Sequence, residues 1–265
     1  MRAMQLVSAS KLKRAQGRLM QARETMAFLE SVLQRVRPVS SAADHPLCRQ
    51  RQGATMLVVL TSDAGLCGSY NTNLIQTAEA DLRRDAARST TLIFIGKKGH
   101  RYFTKRGSHA SGAYLDLAGR PNLAKAAEIA RALMDQFLSG GAASIRVLYS
   151  RFASSLAYRP TMEPWLPIDL SVERAAPSVQ VEYILEPSAE VVLGDLLPRW
   201  AVAKFQLAML EAFTSEHSAR MIAMKNATDN AQELLNALTA QRNKIRQAAI
   251  TKELSEIVGT AEALT

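Results

Sequence analysis

The last third of this chain constrains the fold more than any other part of it. From Ser188 to Ala263 the sequence runs almost without glycine and reads as one continuous helix. A helix rises about 1.5 Å per residue, so such a segment extends on the order of 100 Å, well beyond the width of one globular domain. Periodic patterns running far past about 25 residues belong to coiled coils, membrane spans or helical repeats. Charged residues recur along this one, which excludes a span. The expected job is mechanical: a rod that reaches something distant.

The rod carries a seam. Ala203, Leu207, Leu210, Thr214, His217, Met221, Met224, Thr228, Ala231, Leu235, Leu238, Arg242, Ile245 and Ala249 follow alternating steps of four and three. That repeat keeps one stripe facing a partner helix and winds the pair left-handed. Thr214, His217, Thr228 and Arg242 weaken the stripe relative to a leucine zipper, while Ala203, Ala231 and Ala249 allow close approach. The start of the chain has the same spacing in Leu12, Ala15, Leu19, Ala22, Met26, Leu29, Leu33 and Val36. Pro38 then stops that helix, and Ser40, Ser41, Asp44 and Pro46 read as a loop. The expected arrangement is a long antiparallel coiled coil of the N- and C-terminal helices, residues 1–37 and 188–263. Two separate helices packed on a globular core are the alternative.

Between the helices, residues 55–187 read as a Rossmann-like α/β domain with a mainly parallel sheet. Met56–Leu60, Thr91–Ile95 and Ile145–Tyr149 are short apolar runs of strand type, and Val179–Leu185 alternates as another strand would. Helical patterns cover Asn71–Arg88, Lys97–Lys105 and Leu123–Leu138. A passage containing Pro160, Pro164 and Pro167 surrounds a candidate edge strand. Strands alternating with helices give a parallel, helix-covered sheet.

Composition narrows the function. Residues are 48% apolar, so the chain folds, yet no uninterrupted apolar run approaches the length of a span and no signal peptide is visible. An intracellular protein is expected, with no direct membrane insertion. Two cysteines, Cys48 and Cys67, cannot build a disulfide framework. A net charge of +9 invites an acidic partner, but Lys and Arg are spread over all segments with few aromatics between them, which argues against nucleic acid.

No catalytic centre, cofactor site or metal site is expected. The loop Thr61–Asn71 lies between a strand and a helix, where α/β folds cradle phosphates, but it matches neither G-x-x-x-x-G-K-[ST] nor G-x-G-x-x-G. Cys67 reads as either a nucleophile at a helix start or a small thiol buried in a tight turn. Gly96–Arg101 reads as an anion site or a solvated basic helix start. The four histidines, His45, His100, His109 and His217, lack metal-ligand spacing.

Four stretches carry a family resemblance: Ala3–Gln16, the loop Thr61–Gly68, the run Ser215–Ala231 and the tail Asn243–Val258. In order and separation they resemble the gamma subunit of F-type ATP synthase over essentially the whole chain. The resemblance implies a central rotor shaft whose paired terminal helices stand inside a three-to-three hexamer of alpha and beta subunits. It places the α/β domain at the foot, near the epsilon subunit and the membrane c ring. Met4, Arg220, Arg246, Gln247 and Thr251 match family positions that touch the hexamer; Tyr183 and Glu186 match positions near epsilon and the c ring. It implies no bond chemistry by the chain itself, and a peripheral place on the cytoplasmic face of a bacterial inner membrane.

The sequence departs from the family at two places. The chain begins at Met1-Arg2-Ala3-Met4, several helical turns inside the family's usual start: either the start is misassigned or the first helix is short, and a short one would leave the upper C-terminal helix without a coiled-coil partner. Pro198 falls within the early rod and is expected to kink it or to mark its true first turn. Two rival functions stay open on sequence: an α/β nucleotide-binding enzyme using the Gly65 loop, and a coiled-coil adaptor with no motor role.

Overall fold

The computed structural model describes residues 1–36, 45–84, 89–108, 110–117, 122–170 and 186–262. Alternation within two short apolar strands organises its middle. In β1 (Thr55–Leu60), Met56, Val58 and Leu60 point into one core and Leu57 and Val59 into another. In β2 (Thr90–Ile95), Ile93 and Ile95 join the first core, and Leu92 and Phe94 the second. A strand buried on both faces belongs at the centre of a sheet covered by helices on both sides. Each large apolar side chain fully removed from water there contributes about 1.5–3 kcal/mol.

The described sheet has the order β3-β2-β1-β4-β5. Strands β3 (Ala110–Tyr114), β2, β1 and β4 (Ser144–Ser154) run parallel, and β5 (Ala157–Leu166) returns antiparallel as a hairpin on β4. Helices α2 (Tyr70–Arg84) and α3 (Lys97–Lys105) cover one face. Helix α4 (Leu123–Leu138) covers the other, together with the two terminal helices α1 (Arg2–Val36) and α5 (Ala189–Glu262). The side chain of Asn122 caps α4 by accepting the Lys125 N–H at 3.1 Å. Pro160 and Pro164 sit in β5, paired across to Ser150 and Arg146, at the edge position where a missing N–H is tolerated.

The two ends of the chain form the antiparallel coiled coil. Met26, Leu33 and Val36 of α1 join the core that holds Leu193, Leu197 and Trp200 of α5, while Leu12 and Leu19 pack with Leu210 further along it. The 74 residues of α5 extend about 110 Å. Its first turn is fixed by Ser188, whose hydroxyl accepts the Val191 N–H at 3.4 Å and whose carbonyl accepts the Val192 N–H at 3.1 Å. Pro198 therefore lies inside the helix, which excludes the first-turn alternative of the two expected for it. Gly194 stands four residues before it, at the carbonyl the ring crowds, where the absence of Cβ makes the backbone easiest to adjust.

Strand β3 was not expected. Its sequence, Ala-Ser-Gly-Ala-Tyr, has little β character, and pairing with β2 imposes it. The expected strand Val179–Leu185 and the residues 85–88 expected to continue α2 lie outside the described residues.

Candidate functional site

In a doubly wound sheet a ligand binds outside the carboxyl ends of the strands, where the strand order reverses; here that is the crevice beyond β1 and β4. Helix α5 fills it. The Tyr70 hydroxyl, at the start of α2, donates to the Ala212 carbonyl at 3.0 Å, and Ser215 Oγ donates to the Ser150 carbonyl of β4 at 2.9 Å. The space left between the ends of β1 and β2, α4 and α5 is a cavity of about 60 Å³ lined by Thr61, Asp63, Tyr70, Asn122 and Glu216 among others. That volume suits a water or two and excludes a nucleotide.

The loop that sequence reading weighed as a phosphate cradle is built for α5 instead. Asn71 holds it closed: Oδ1 accepts the Ser62 N–H at 3.0 Å, while Nδ2 donates to Ser62 Oγ at 2.8 Å and to Cys67 Sγ at 3.1 Å. Cys67 is buried in this turn. The carbonyls of Ala64 and Gly65 face the shaft, where Arg220 donates to them at 3.2 and 3.1 Å. The neighbouring Gly96 turn receives its anion from that same loop. Asp63 Oδ1 accepts the Lys97 N–H at 3.0 Å at the start of α3, and Lys97 Nζ pairs with Asp116 at 2.5 Å.

Arg220 was expected to reach a neighbouring subunit. It is instead only 8% exposed, held by the loop carbonyls and by an ion pair to Glu216 at 2.7 Å. Burial pushes the Glu216 carboxyl above the ordinary carboxylate range, and the Arg220 guanidinium opposes that rise. His217 stands edge-on to Phe213, ring centroids 4.5 Å apart. Between Glu211 and Arg220 every residue except Phe213 is buried, although most are polar. A helix buried all round is normally apolar, so this stretch is a polar collar gripped from every side.

Beyond the collar the environment of α5 changes. Leu12, Leu19, Met26, Leu210 and Met224 are buried, and Met221 packs against the cluster of Leu12, Leu19 and Leu210. Leu235, Leu238 and Ile245 were expected on the same seam but are 59%, 52% and 61% exposed. The reason is register. Arg23 meets Glu211 at 2.7 Å, which sets Met4 level with roughly Asn230, so α1 has run out before Leu235 is reached. The remainder of α5 is a single helix with Leu234, Leu235, Leu238, Ile245, Ile250, Leu254 and Ile257 in the open. Arg246, Gln247 and Thr251 are exposed on it, with Arg246 about 24 Å past the level of Met4, so these residues form no common cluster. Met4 is exposed on α1 and Glu186 is exposed just before α5; Tyr183 lies outside the described residues.

Sequence reading missed Arg23 and Glu211, one on each shaft helix beside the seam. It also missed Ser215 and Ser218, whose hydroxyls bond to β4 and to the hairpin turn. The available signal was a run of small polar residues on a helix otherwise patterned for burial. Among the described residues no His, Cys, Asp and Glu are grouped as a metal site, and no helix is long and apolar enough to cross a membrane.

The fold is thus a two-helix shaft keyed into an α/β domain whose ligand crevice is filled by its own helix. Comparison with known proteins agrees. The family model described as ATP synthase matches residues 1–264. The ATP synthase gamma chain of Desulforamulus reducens is 41% identical over 99% of this chain and 92% of that protein. That of Symbiobacterium thermophilum is 42% identical over the same shares. Among solved structures, the central stalk and c ring of Tetrahymena thermophila mitochondrial ATP synthase has a chain with a TM-score of 0.67 at 22% identity, covering 86% of this chain and 98% of that one. A chain of the Euglena gracilis mitochondrial ATP synthase has a TM-score of 0.60 at 18% identity, covering 100% of this chain and 95% of that one. The chain belongs to the ATP synthase gamma chain family.

Proposed function

We propose that this chain is the central rotor subunit of an F-type ATP synthase, carrying rotation from a membrane c ring to the catalytic sites of beta subunits and performing no bond chemistry itself. The single observation that carries the reading is α5 itself, one helix of 74 residues running about 110 Å, in a chain matched by the family model over residues 1–264. A rod of that length reaches neighbours that a compact α/β domain cannot touch. In this reading residues 1–37 and 188–263 form the axle and residues 55–187 the foot. Met4, Arg246, Gln247 and Thr251 meet a hexamer of three alpha and three beta subunits. Tyr183 and Glu186 face the epsilon subunit and the c ring. Arg220 acts indirectly, by fixing α5 against the Gly65 loop. The complex sits peripherally on the cytoplasmic face of a bacterial inner membrane.

The mechanism is linkage. An axle with unequal sides touches each beta subunit differently, and those differences in contact energy bias the open and closed states of each site in turn. The reaction runs in either direction because the same contact energies serve hydrolysis and synthesis. Reconstitution tests it. The chain mixed with alpha and beta subunits should yield an ATP-hydrolysing complex that pumps ions once joined to its membrane sector. A complex that forms without stimulating hydrolysis would favour a passive adaptor, and tight ATP binding by the isolated chain would favour a nucleotide enzyme.

A further inference from the structure

Strand β4 is longer than the strand beside it. Its pairing with β1 ends at Val59 and Leu148, yet β4 continues to Ser154, bonded from there on only to β5. Backbone N–H and C=O groups removed from water must find partners. Along this overhang the partners are side chains of the shaft. Ser215 Oγ donates to the Ser150 carbonyl at 2.9 Å. Two residues on, Glu211 Oε2 accepts the Phe152 N–H at 2.7 Å, and Arg23 Nη2 donates to the Phe152 carbonyl at 2.6 Å. Arg23 closes the ring on Glu211 Oε1 through Nε at 2.9 Å and Nη2 at 2.7 Å. At the hairpin turn, Ser218 Oγ donates to the Ser155 carbonyl at 2.6 Å and Gln16 Nε2 to Ser155 Oγ at 3.1 Å. The end of one hairpin is thus stitched to both shaft helices.

We infer that this stitched overhang, centred on Arg23, Glu211 and the backbone N–H and C=O of Phe152, is the key through which the α/β domain turns the shaft. The inference rests on the rotor reading and names the joint that reading requires. Apolar contacts are non-directional, so packing opposes rotation of a helix about its axis only through the fit of its side chains. Hydrogen bonds to fixed backbone groups are directional and resist that turning. Glu211 and Arg220 are nine residues apart, which at 3.6 residues per turn places them on opposite sides of α5. The β4 stitches and the Arg220 contacts with the Gly65 loop therefore grip the helix like two jaws. Because Arg23 belongs to α1, the key engages both helices together.

The test is the reconstituted complex in ion-tight vesicles, read as ions transported per ATP hydrolysed by assembled complexes. Glu211→Gln keeps the shape and removes the charge that holds Arg23; Arg23→Lys keeps the charge and loses the planar fork. Glu211→Gln is expected to lower the ratio by about fivefold or more, the size of a site-to-site coupling term, with Arg23→Lys in between. An unchanged ratio overturns the inference. So does a purely structural outcome, in which melting temperature and assembly yield fall while the ratio of the assembled fraction stays at the wild-type value. Should Glu211→Gln not assemble, Ser215→Ala removes one stitch only, and an unchanged ratio there is equally fatal. A wild-type chain that assembles but never pumps strikes the rotor reading itself and takes this inference with it.

Discussion

Two residues show how tightly the loop ends of the sheet are set. Gly96 has φ +98°, and a Cβ there would lie 2.0 Å from the Thr61 carbonyl oxygen. Gly96→Ala should therefore cost about 2–4 kcal/mol in denaturant unfolding, combining backbone strain with a clash against backbone that cannot retreat. A loss under about 0.5 kcal/mol, the range of ordinary surface changes, would mean the turn has another conformation available. Glu216 makes a pH prediction. Its carboxyl is held above the ordinary range by burial, so the native state binds that proton more tightly than the unfolded chain. Its contribution to stability is full below the unfolded value and declines as pH climbs through the native one. The melting temperature of the wild type minus that of Glu216→Gln should fall as pH climbs above the unfolded carboxyl value of about 4.3. A difference that widens as pH climbs would mean the Arg220 ion pair outweighs burial. Neither effect was legible in the sequence. A glycine's φ and a carboxylate's neighbours are set by long-range approach, and Glu216 reads as an ordinary polar helix residue.

At the scale of elements the sequence was more informative, for a reason visible in particular segments. The bounds of α3 and α4 follow from amphipathic spacing and punctuation, and β1 and β2 from apolar runs between turns, whereas β4 runs on to Ser154, five residues past the expected Ile145–Tyr149. Strand β3 escaped because its residues are small, and its state is decided by the neighbour it pairs with. The seam of α5 was legible as a pattern, but where the pattern stops being used was not. Periodicity records which side chains share a face and says nothing of how far the partner helix extends. Leu19 and Leu238 separate the two regimes. Leu19 is buried between α1, α5 and Phe152, and Leu19→Ala should cost the isolated chain about 2–5 kcal/mol. Leu238 stands in the open, and Leu238→Asp should leave the isolated chain within about 0.5 kcal/mol of the wild type. The same Leu238→Asp change should reduce assembly with alpha and beta subunits. Equal destabilisation of the isolated chain by both would show that the far half of α5 has a partner within the chain.

The whole molecule joins two regions of unlike stability. Around the sheet, α1 and the first half of α5 share cores with buried strands and are held by the polar collar. Past Ala231 nearly every residue of α5 is exposed, and a single helix in water is sustained by little beyond its own propensity. Hydrogen exchange on the isolated chain should therefore find backbone amides between 235 and 257 exchanging far faster than those between 205 and 220. The first set should become protected once alpha and beta subunits surround it. Strong protection in the isolated chain would contradict the single-helix description. The bare end of α5 also has a consequence for proteases. Limited proteolysis of the isolated chain should therefore cut first between residues 235 and 257, and the same stretch should resist cleavage in the proposed complex.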